Sequence, residues 1–527
     1  MVKVELSIKS LEELVEERIE KIIGVFENIG ISVEEITKDV IIVEVNSNRL
    51  DWLCVEGIAK TLRFFLEKEK PQEEKIYDSQ YTVIIDKSVK KVRPYTACAV
   101  VDVDFDDDLI RSIIQLQEKL HLTYGRNRKK FAIGIYPADK IEFPITFFAE
   151  NPKKIKFIPL NETREMNGLE ILENTEKGKE YKHLLEGKEV FPFFKDSKNQ
   201  ILSMPPIINS ELTGKVTPET KRVFIECSGF NLHYLKKALN VIIHAFLVRK
   251  AKVYKVKVID PDKSYVTPDF EWSKIEISEE MIDDYLGVIP NLSLLEKMGY
   301  IVLDNTVLVP PYRIDIMHQV DIIEDLAIAY GYDNFELEKS SIETIGEESR
   351  YSKIENKIRE LLLGLEAVEV VTFNITNQSN VIDGISLYNS VNQEYTVLRD
   401  NLFFNLLDVV KENKMSIKQI IFEIGRVFEK KEKKFVEREK VCVMLCNRDV
   451  SEARQILEYI LDRFMIEYKF KECNKYWFVP GRQIEVFDLN SDNLIGTVAE
   501  IHPQILKEKG IPFNVVFCEF YVDAILY

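Results

Sequence analysis

Four carboxylates gather near the middle of the chain, within the stretch YRIDIMHQVDIIEDLAIAYGYDNFE, residues 312–336. They are Asp315, Asp321, Glu324 and Asp325. On a helix, positions i, i+3 and i+4 project from one side, so the last three would share a face. Carboxylate oxygens are the ligands that magnesium prefers, although the ion usually takes only one or two of them from a protein. The alternative is a solvated acidic face in which Asp315 and Asp321 cap the helix start, and spacing alone favours this alternative.

A second candidate is the segment ILSMPPIINSE, residues 201–211. Its two consecutive prolines exclude a regular helix and a central strand. Ser203, Asn209 and Ser210 are therefore expected on a rigid turn that can hold hydrogen-bonding groups towards a ligand. A turn with a purely structural role explains the pattern equally well.

A third candidate is the strand-like segment FIECSGF, residues 224–230. Residues two apart on a strand point to the same side, so Glu226 and Ser228 would place a carboxylate beside a hydroxyl. Taken singly, the pattern favours a solvent-exposed side, from which no chemistry would follow.

Composition restricts the class of protein. The sequence lacks a Walker A loop, a Gly-x-Ser-x-Gly elbow, a His-Glu-x-x-His motif and a Gly-x-Gly-x-x-Gly loop. Its seven cysteines form no Cys-x-x-Cys pair, which fits neither a disulfide framework nor a zinc cage. The net charge of −17 argues against a surface that binds nucleic acid throughout, but permits a local basic patch. Since no apolar run reaches the length of a membrane span and the start lacks signal-peptide features, we expect a cytoplasmic protein with no membrane partner.

The elements that must position these residues suggest a multidomain chain of the α+β class. Alternating apolar positions followed by a helical stretch predict a small α+β domain over residues 1–80, which ends in a charged linker, residues 67–79. Residues 81–268 interleave apolar strands with one long helix. Residues 270–340 form a small domain with the acidic helix, and residues 341–527 alternate strands and helices. No internal repeat is evident in the sequence.

Taken in this order, the segments resemble the β subunit of phenylalanyl-tRNA synthetase in its archaeal and eukaryotic cytosolic form, over essentially the whole chain. Any one block alone is weak evidence, but several in the correct order are specific. The matching blocks are NSNRLDWLCVEGIAKTLRFFL (46–66), LHLTYGRNRKKFAIGIY (120–136), KFIPL (156–160), ILSMPPIINSE, IECSG, YRIDIMHQVDIIEDLAIAYGYD, VLRDNLFFNLLDVVKENK (397–414), FEIGRVF (422–428), VPGRQIEVF (479–487) and GTVAEIHPQIL (496–506).

The resemblance implies an α2β2 heterotetramer. The phenylalanyl-tRNA synthetase α subunit would bind ATP and phenylalanine and charge tRNA(Phe), while the β chain supports it. Residues 81–268 would be a tRNA-editing domain. Residues 341–527 would be a class II synthetase-like antiparallel-sheet domain that lacks the catalytic motifs and contacts α.

The resemblance also changes the interpretation of the acidic set. The family's magnesium positions fall on Asp315, Asp321, Glu324 and Asp325, which favours a Mg2+ site shared with α. The fourth position is often Glu in the family, and the shorter Asp325 keeps the charge but reduces the reach.

Editing is expected because an apolar site for phenylalanine rejects tyrosine, which adds only a hydroxyl, by about a hundredfold. A second site that hydrogen-bonds the phenol would capture Tyr-tRNA(Phe) for hydrolysis, since a substrate without the hydroxyl would leave polar groups unpaired. Glu226 would accept the phenol's hydrogen bond, while the Ser and Asn groups orient the terminal adenosine and the attacking water. By resemblance, the editing residues are Leu202, Ser203, Asn209, Ser210, Glu226 and Ser228.

One departure from the family leaves an alternative open. The archaeal pattern usually reads Asp-x-Thr-Gly where this chain has Glu226, Cys227, Ser228 and Gly229. The longer Glu and the smaller Ser would alter a finely positioned pocket, so the alternative is a non-editing structural scaffold subunit of the same ligase. A magnesium-dependent phosphotransferase that acts without α is a third hypothesis. The basic segment GRNRKK, residues 125–130, is predicted to contact the tRNA backbone.

Overall fold

The chain folds into two compact units, Met1–Glu338 and Lys339–Tyr527. Both units contain helices and sheets, so the prediction of a multidomain chain with mixed α and β structure is confirmed. None of the helices described is long and apolar enough to cross a membrane. The four domain ranges stay predictions, and the boundary at residue 341 falls outside the described residues. The structure, a computed structural model, describes residues 2–340, 342, 344–415, 417–431 and 434–525.

The first unit is built from short strands and mostly short helices. In chain order its strands are β1 (Val2–Ser7), β2 (Ser32–Ile36), β3 (Val40–Val45), β4 (Ile76–Tyr77), β5 (Thr82–Ile85), β6 (Tyr95–Asp102), β7 (Phe131–Pro137), β8 (Ile145–Glu150), β9 (Lys156–Phe157), β10 (Met166–Asn167), β11 (Phe191–Lys195), β12 (Ile201–Met204), β13 (Ile208–Asn209), β14 (Arg222–Gly229), β15 (Lys252–Ile259), β16 (Tyr265–Thr267), β17 (Ser273–Glu276), β18 (Ile301–Leu303) and β19 (Thr306–Val309). Its helices are α1 (Ile8–Val15), α2 (Ile19–Phe26), α3 (Val55–Phe65), α4 (Asp107–Leu122), α5 (Gly168–Asn174), α6 (Glu176–Tyr181), α7 (Glu211–Gly214), α8 (Leu232–Val248), α9 (Glu279–Leu286) and α10 (Gln319–Tyr330).

An eleven-stranded mixed sheet forms the centre of this unit, with the path β13-β12-β11-β8-β5-β15-β6-β14-β7 and with β4 and β16 paired to β15. Strand β15 runs parallel to β5 and antiparallel to β6. It therefore joins two halves of the sheet, β13 to β5 on one side and β6, β14 and β7 on the other. Two of the sites predicted from the sequence lie on different halves, because β12 belongs to the first half and β14 to the second.

Helix α8 covers one face of the second half, where it packs on β6 and β14. Leu235, Leu239, Ile242 and Phe246 recur at helical spacing and are all fully buried in the core they share with these strands. The Asn231 side chain accepts hydrogen bonds from the first backbone N–H groups of α8 and so caps the helix start. The opposite face of the same strands is the one that carries the candidate site.

Two small modules of the first unit share one topology. Each has a strand, two helical segments, a pair of antiparallel strands, an Arg-x-Asp turn and a helix, and the sheet orders are β1-β3-β2 and β17-β19-β18. In each turn the arginine binds both oxygens of the aspartate two residues later, Arg49 with Asp51 and Arg313 with Asp315. The expectation of a chain without an internal repeat is thus wrong at the level of structure.

The second unit is a seven-stranded sheet with the order β20-β24-β25-β29-β28-β27-β26, antiparallel except for the β20–β24 pair. Alternate residues of its strands face two separate hydrophobic clusters, which α11 and α13 complete on one side and α12 and α14 on the other. The elements of this unit, in chain order, are α11 (Arg350–Leu363), β20 (Val368–Glu369), β21 (Ile375–Thr376), β22 (Ile385–Ser386), β23 (Val397–Leu398), α12 (Phe403–Glu412), β24 (Ile420–Lys431), β25 (Lys434–Cys446), α13 (Val450–Arg463), β26 (Tyr468–Glu472), β27 (Phe478–Asp488), β28 (Leu494–Ile501), α14 (Pro503–Lys509) and β29 (Val515–Tyr521).

Candidate functional site

Strand β14 places Glu226 and Ser228 on the same face, as the alternation predicts. Glu226 lies opposite Gly134 of β7 and Cys98 of β6, in the interior of the sheet. Glu226 is 2% exposed and Ser228 is fully buried. The side of the strand that carries them is therefore a buried face and not the solvent-exposed face that the single-strand pattern favours.

Glu226 keeps one oxygen paired and one free. The Tyr136 hydroxyl lies 3.2 Å from Oε1 and 2.7 Å from the Ser203 hydroxyl oxygen. Oε2 is buried and has no hydrogen-bond partner among the described residues. Burial raises the pKa of Glu226 to about 7, against the opposing effects of the nearby Arg93 guanidinium and of the Tyr136 and Ser228 hydroxyls. A carboxyl of this kind changes its charge near neutral pH.

Ser228 is bound to an arginine that the sequence patterns do not single out. Nε of Arg93 donates to the Ser228 hydroxyl at 3.1 Å, and Nη2 donates to the Ser228 carbonyl oxygen at 2.6 Å. Arg93 is only 3% exposed, and burial lowers its pKa to about 10. It thus places a buried positive charge beside the carboxyl of Glu226.

The double-proline segment forms the connection between β12 and β13. Ser203 reaches the Tyr136 hydroxyl, whereas Leu202 is fully buried in the hydrophobic core and supplies a carbonyl oxygen to the Ser210 N–H at 2.7 Å. Ser210 is also buried, and Asn209 is half-buried. Ser203 and Asn209 pair across the two strands.

A cavity of about 360 Å3 brings part of the predicted set together. Ser203, Asn209 and Glu226 line it, and Leu202, Ser210 and Ser228 are not among its lining residues within the part of the chain described here. Its volume lies in the range of small-ligand sites. Much of its wall is apolar and comes from Phe105, Ile110, Ile113, Ile133, Ile135, Val216 and Ile207.

One arginine of the basic segment, Arg128, is buried, whereas contact of the segment with tRNA stays a prediction. Arg126, Asn127 and Arg128 all have positive φ angles, between 49° and 61°, and form a left-handed turn. This turn directs Arg128 inwards, where its guanidinium donates to the carbonyl oxygens of Pro206 and Ile207 at 3.0 Å each. Because Arg128 is only 7% exposed, it supports the proline turn instead of presenting a charge to tRNA. Of the other basic residues in the segment, Arg126 and Lys129 are exposed and Lys130 is half-buried.

The acidic set does not converge on a common point. Arg313 lies between two of its members and binds Asp315 through Nε and Nη2, while Nη1 is 2.6 Å from Oδ2 of Asp325. The Tyr300 hydroxyl donates to the same Asp325 oxygen at 2.5 Å. Burial alone would raise the pKa of Asp315, but the guanidinium of Arg313 outweighs burial and lowers it.

The other two carboxylates have separate environments. Asp321 accepts hydrogen bonds from the N–H groups of Met317 and His318 and closes a capping box at the start of α10. Glu324 is exposed on the helix. Among the described residues no group of three or more potential ligands forms a metal site. The four residues therefore do not gather into one shared four-carboxylate site in this arrangement, and the helix-capping alternative describes Asp321 better.

Three functional residues escaped the sequence patterns: Tyr136, Arg93 and Gly134. Tyr136 shares the alternation of KFAIGIY with apolar neighbours, so it reads as a core residue. Arg93 is one of three basic residues in KKVRPY, residues 90–95, and the pattern does not distinguish it from the two lysines. A signal was available only in Gly134, because a glycine inside a strand pattern often marks a close approach of another group.

Comparison with known proteins agrees with the sequence resemblance. A profile of the tRNA synthetase B5 domain matches residues 275–332, and one of the phenylalanyl tRNA synthetase beta chain CLM domain matches residues 338–522. The solved N-terminal fragment of the phenylalanyl-tRNA synthetase beta-subunit from Pyrococcus horikoshii aligns with 62% of this chain and 99% of that fragment, at a TM-score of 0.59 and 38% identity.

Full-length relatives cover most of the chain. The phenylalanine–tRNA ligase beta subunit of Thermococcus sibiricus is 38% identical over 501 residues, which cover 90% of this chain and 89% of that protein. The beta subunit of Archaeoglobus fulgidus is 32% identical over 537 residues, covering 97% and 96%. On this evidence the chain belongs to the family of phenylalanine–tRNA ligase beta subunits.

Proposed function

We propose that the chain acts as the β subunit of a phenylalanine–tRNA ligase in which a separate α subunit binds ATP and phenylalanine and charges tRNA(Phe). The support is the family membership over nine-tenths of the chain. The α2β2 stoichiometry and the cytoplasmic location belong to this proposal and derive from the resemblance.

Within this assembly, residues 341–527 take the role of the class II synthetase-like domain that contacts α. Several large apolar side chains of the second unit are highly exposed, among them Val371, Phe373, Tyr388 and Val391. Exposed apolar side chains in such number are typical of a surface that another protein covers. Co-expression with the α subunit tests this role, and a chain that purifies without α would reject it.

The proposal also assigns the cavity to hydrolysis of mischarged Tyr-tRNA(Phe). The observation that carries this assignment is the buried, unpaired Oε2 of Glu226 at a cavity with a largely apolar wall. A tyrosine ring would pack on that wall, and its hydroxyl would donate to Oε2. A phenylalanine ring would leave the buried oxygen unpaired, which disfavours its binding.

The remaining polar groups fit a supporting role in ester hydrolysis. Ser203 and Asn209 lie at the same cavity and offer a hydroxyl and an amide, which can orient the terminal adenosine and a water molecule that attacks the ester carbonyl. We assign no direct contact with the substrate to Leu202, Ser210 and Ser228. The first two hold the strands beside the cavity together, and Ser228 binds Arg93.

The second candidate function is a structural scaffold that does not edit. One specific observation favours it: Tyr136, a phenol of the protein itself, already lies within hydrogen-bonding distance of both Glu226 and Ser203. If the Tyr136 hydroxyl were the only hydrogen-bonding partner that Glu226 and Ser203 required, a substrate hydroxyl would add nothing to binding in the cavity.

Deacylation of Tyr-tRNA(Phe) by the assembled enzyme separates the two functions. We expect hydrolysis well above the uncatalysed rate, and a loss of at least tenfold in Glu226→Gln, because a charge-assisted hydrogen bond contributes about 1.5–3 kcal/mol. Glu165→Gln is the matched control, since Glu165 is an exposed glutamate of the same domain. An assembled enzyme that releases no tyrosine would establish the scaffold.

Magnesium enters the proposal only through the resemblance. Because Arg313 already forms ion pairs with both Asp315 and Asp325, we assign no step of the reaction to an ion held by the acidic set.

A further inference from the structure

Tyr136 occupies an unusual position next to the candidate acceptor. Its ring stacks on Phe224 with the ring centroids 5.9 Å apart, and its side chain is fully buried. The hydroxyl lies between the Ser203 hydroxyl on one half of the sheet and Oε1 of Glu226 on the other. It thus forms a hydrogen-bonding link across the two halves beside the cavity, in addition to the contacts of Arg128 with the proline turn.

Gly134 makes this position possible. A Cβ at residue 134 would lie 2.2 Å from the Tyr136 hydroxyl oxygen and 2.7 Å from Oε1 of Glu226. Any side chain there would therefore push the phenol away from the carboxylate. The glycine leaves a gap over β7 into which the tyrosine folds back.

The phenol has one proton, and this fixes the direction of the chain of hydrogen bonds. When Glu226 is ionised it can only accept, so Tyr136 donates to Oε1 and Ser203 donates to the phenol oxygen. Oε1 is then satisfied and cannot turn towards a ligand without breaking that bond. Oε2 stays as the one unpaired acceptor of the carboxylate.

We propose that Tyr136 is a positioning residue that fixes the Glu226 carboxylate through Oε1 and thereby presents Oε2 to the hydroxyl of the substrate's tyrosine ring. This inference rests on the proposed editing function and names the residue that sets its specificity. If the Glu226 carboxylate could rotate freely, it would form hydrogen bonds with other protein groups when a phenylalanyl group enters the cavity. The carboxylate that Tyr136 fixes cannot do so, and its Oε2 stays unpaired. Discrimination between the two aminoacyl groups therefore depends on Tyr136.

The same hydrogen bond affects the titration of Glu226. Burial raises its pKa, and the charge of Arg93 and the hydroxyls of Tyr136 and Ser228 lower it. Removal of the phenol hydroxyl therefore moves the carboxyl's titration to higher pH. Other titratable or charged groups that face Glu226 or the cavity are Cys98 on β6, and Glu118, Arg128, Lys177 and Lys215 in the cavity wall, while Cys227 adjoins Glu226 on the opposite face of β14.

The test compares Tyr136→Phe with wild type in the assembled enzyme, using Tyr-tRNA(Phe) and Phe-tRNA(Phe). We expect the ratio of the two deacylation rates to fall about tenfold, as for the loss of one hydrogen bond to a charged group. We also expect the rise of Tyr-tRNA(Phe) deacylation with pH, which begins near neutrality, to move to higher pH. Tyr265→Phe is the control, because it removes the hydrogen bond of another, half-buried phenol of the same sheet, 2.8 Å to the Thr96 carbonyl oxygen.

A Tyr136→Phe enzyme with unchanged ratio and unchanged pH profile would overturn the inference while leaving the editing function intact. If the variant is unstable, Gly134→Ala displaces the phenol without removing it and is expected to give the same two changes. If wild type releases no tyrosine, the proposed function fails instead. The carboxyl infrared band of Glu226, identified by its loss in Glu226→Gln, then decides: an equal titration midpoint with and without the Tyr136 hydroxyl overturns the inference.

Discussion

Nη1 of Arg313 lies 2.6 Å from Oδ2 of Asp325, and both side chains are buried. The same guanidinium binds Asp315 through its other two nitrogens. One arginine thus forms ion pairs with two carboxylates of a cluster that the sequence resemblance assigns to magnesium, and its single positive charge offsets one of their two negative charges.

Arg313→Met should be strongly destabilising. The variant keeps most of the side-chain volume but leaves Asp315 and Asp325 buried without a counter-charge, and breaking a buried ion pair from one side costs about 3–5 kcal/mol. Urea unfolding measures the loss. The Lys3→Met control removes an exposed pair with Glu34 and should leave stability nearly unchanged, because solvent screens exposed ion pairs. Equal effects of the two substitutions would contradict the role of Arg313.

Magnesium should leave the stability of the acidic module unchanged. Since three of the four carboxylates already have partners, we expect the thermal midpoint of the assembled enzyme to be the same with and without millimolar Mg2+. A magnesium-dependent rise that disappears in Glu324→Gln would instead support the magnesium site, because Glu324 is exposed and its substitution does not disturb Arg313.

Stability should depend on pH through Glu226. Its pKa in the folded chain, about 7, lies above that of an unfolded glutamate, so the folded state binds the additional proton between about pH 4.5 and 7. The group's contribution is therefore favourable at low pH and is lost as pH rises through 7. Calorimetry should show that the free energy of unfolding of Glu226→Gln, relative to that of wild type, increases by up to about 3 kcal/mol between pH 5 and 8. A difference that stays constant with pH would contradict the raised pKa.

The basic segment should act on tRNA through Arg126 and Lys129 alone. The double variant Arg126→Gln, Lys129→Gln should reduce the slope of log affinity against log salt by about 1 to 2, since each lost phosphate contact lowers it by slightly less than one. Arg128→Gln should leave the slope unchanged and reduce Tyr-tRNA(Phe) deacylation, because Arg128 holds the proline turn. Lys188→Gln, at an exposed site of the same domain, controls for net charge. A slope altered by Arg128→Gln would refute the assignment.

How much the sequence predicts differs from residue to residue. The period of two along β14 correctly places Glu226 and Ser228 on one side, but a strand with apolar residues on both sides does not reveal which side is covered. Arg128 lies in a run of positive charges, which usually indicates exposure. Its inward direction depends on three successive left-handed residues, which composition alone does not predict.

The acidic set illustrates the same limit. Spacing on a helix predicts which carboxylates share a face, and Asp321 does cap the helix start as one alternative held. Arg313 lies in a turn before α10, and Asp325 lies within that helix, twelve residues later. Helical periodicity could not reveal their contact, because Arg313 is not part of the helix. The duplicated module also escaped notice, because its two copies share strand order and an Arg-x-Asp turn but little other sequence.

The position of β15 has a consequence for biosynthesis. The strand joins the half of the sheet that carries Ser203 to the half that carries Glu226, yet it begins only at Lys252. A nascent chain that ends before this point exposes the edges of β5 and β6, while the module of residues 2–66 has already emerged and can fold. We therefore expect the cavity beside Glu226 to appear on the ribosome in a single late step, and truncated chains that end before residue 252 to require chaperones.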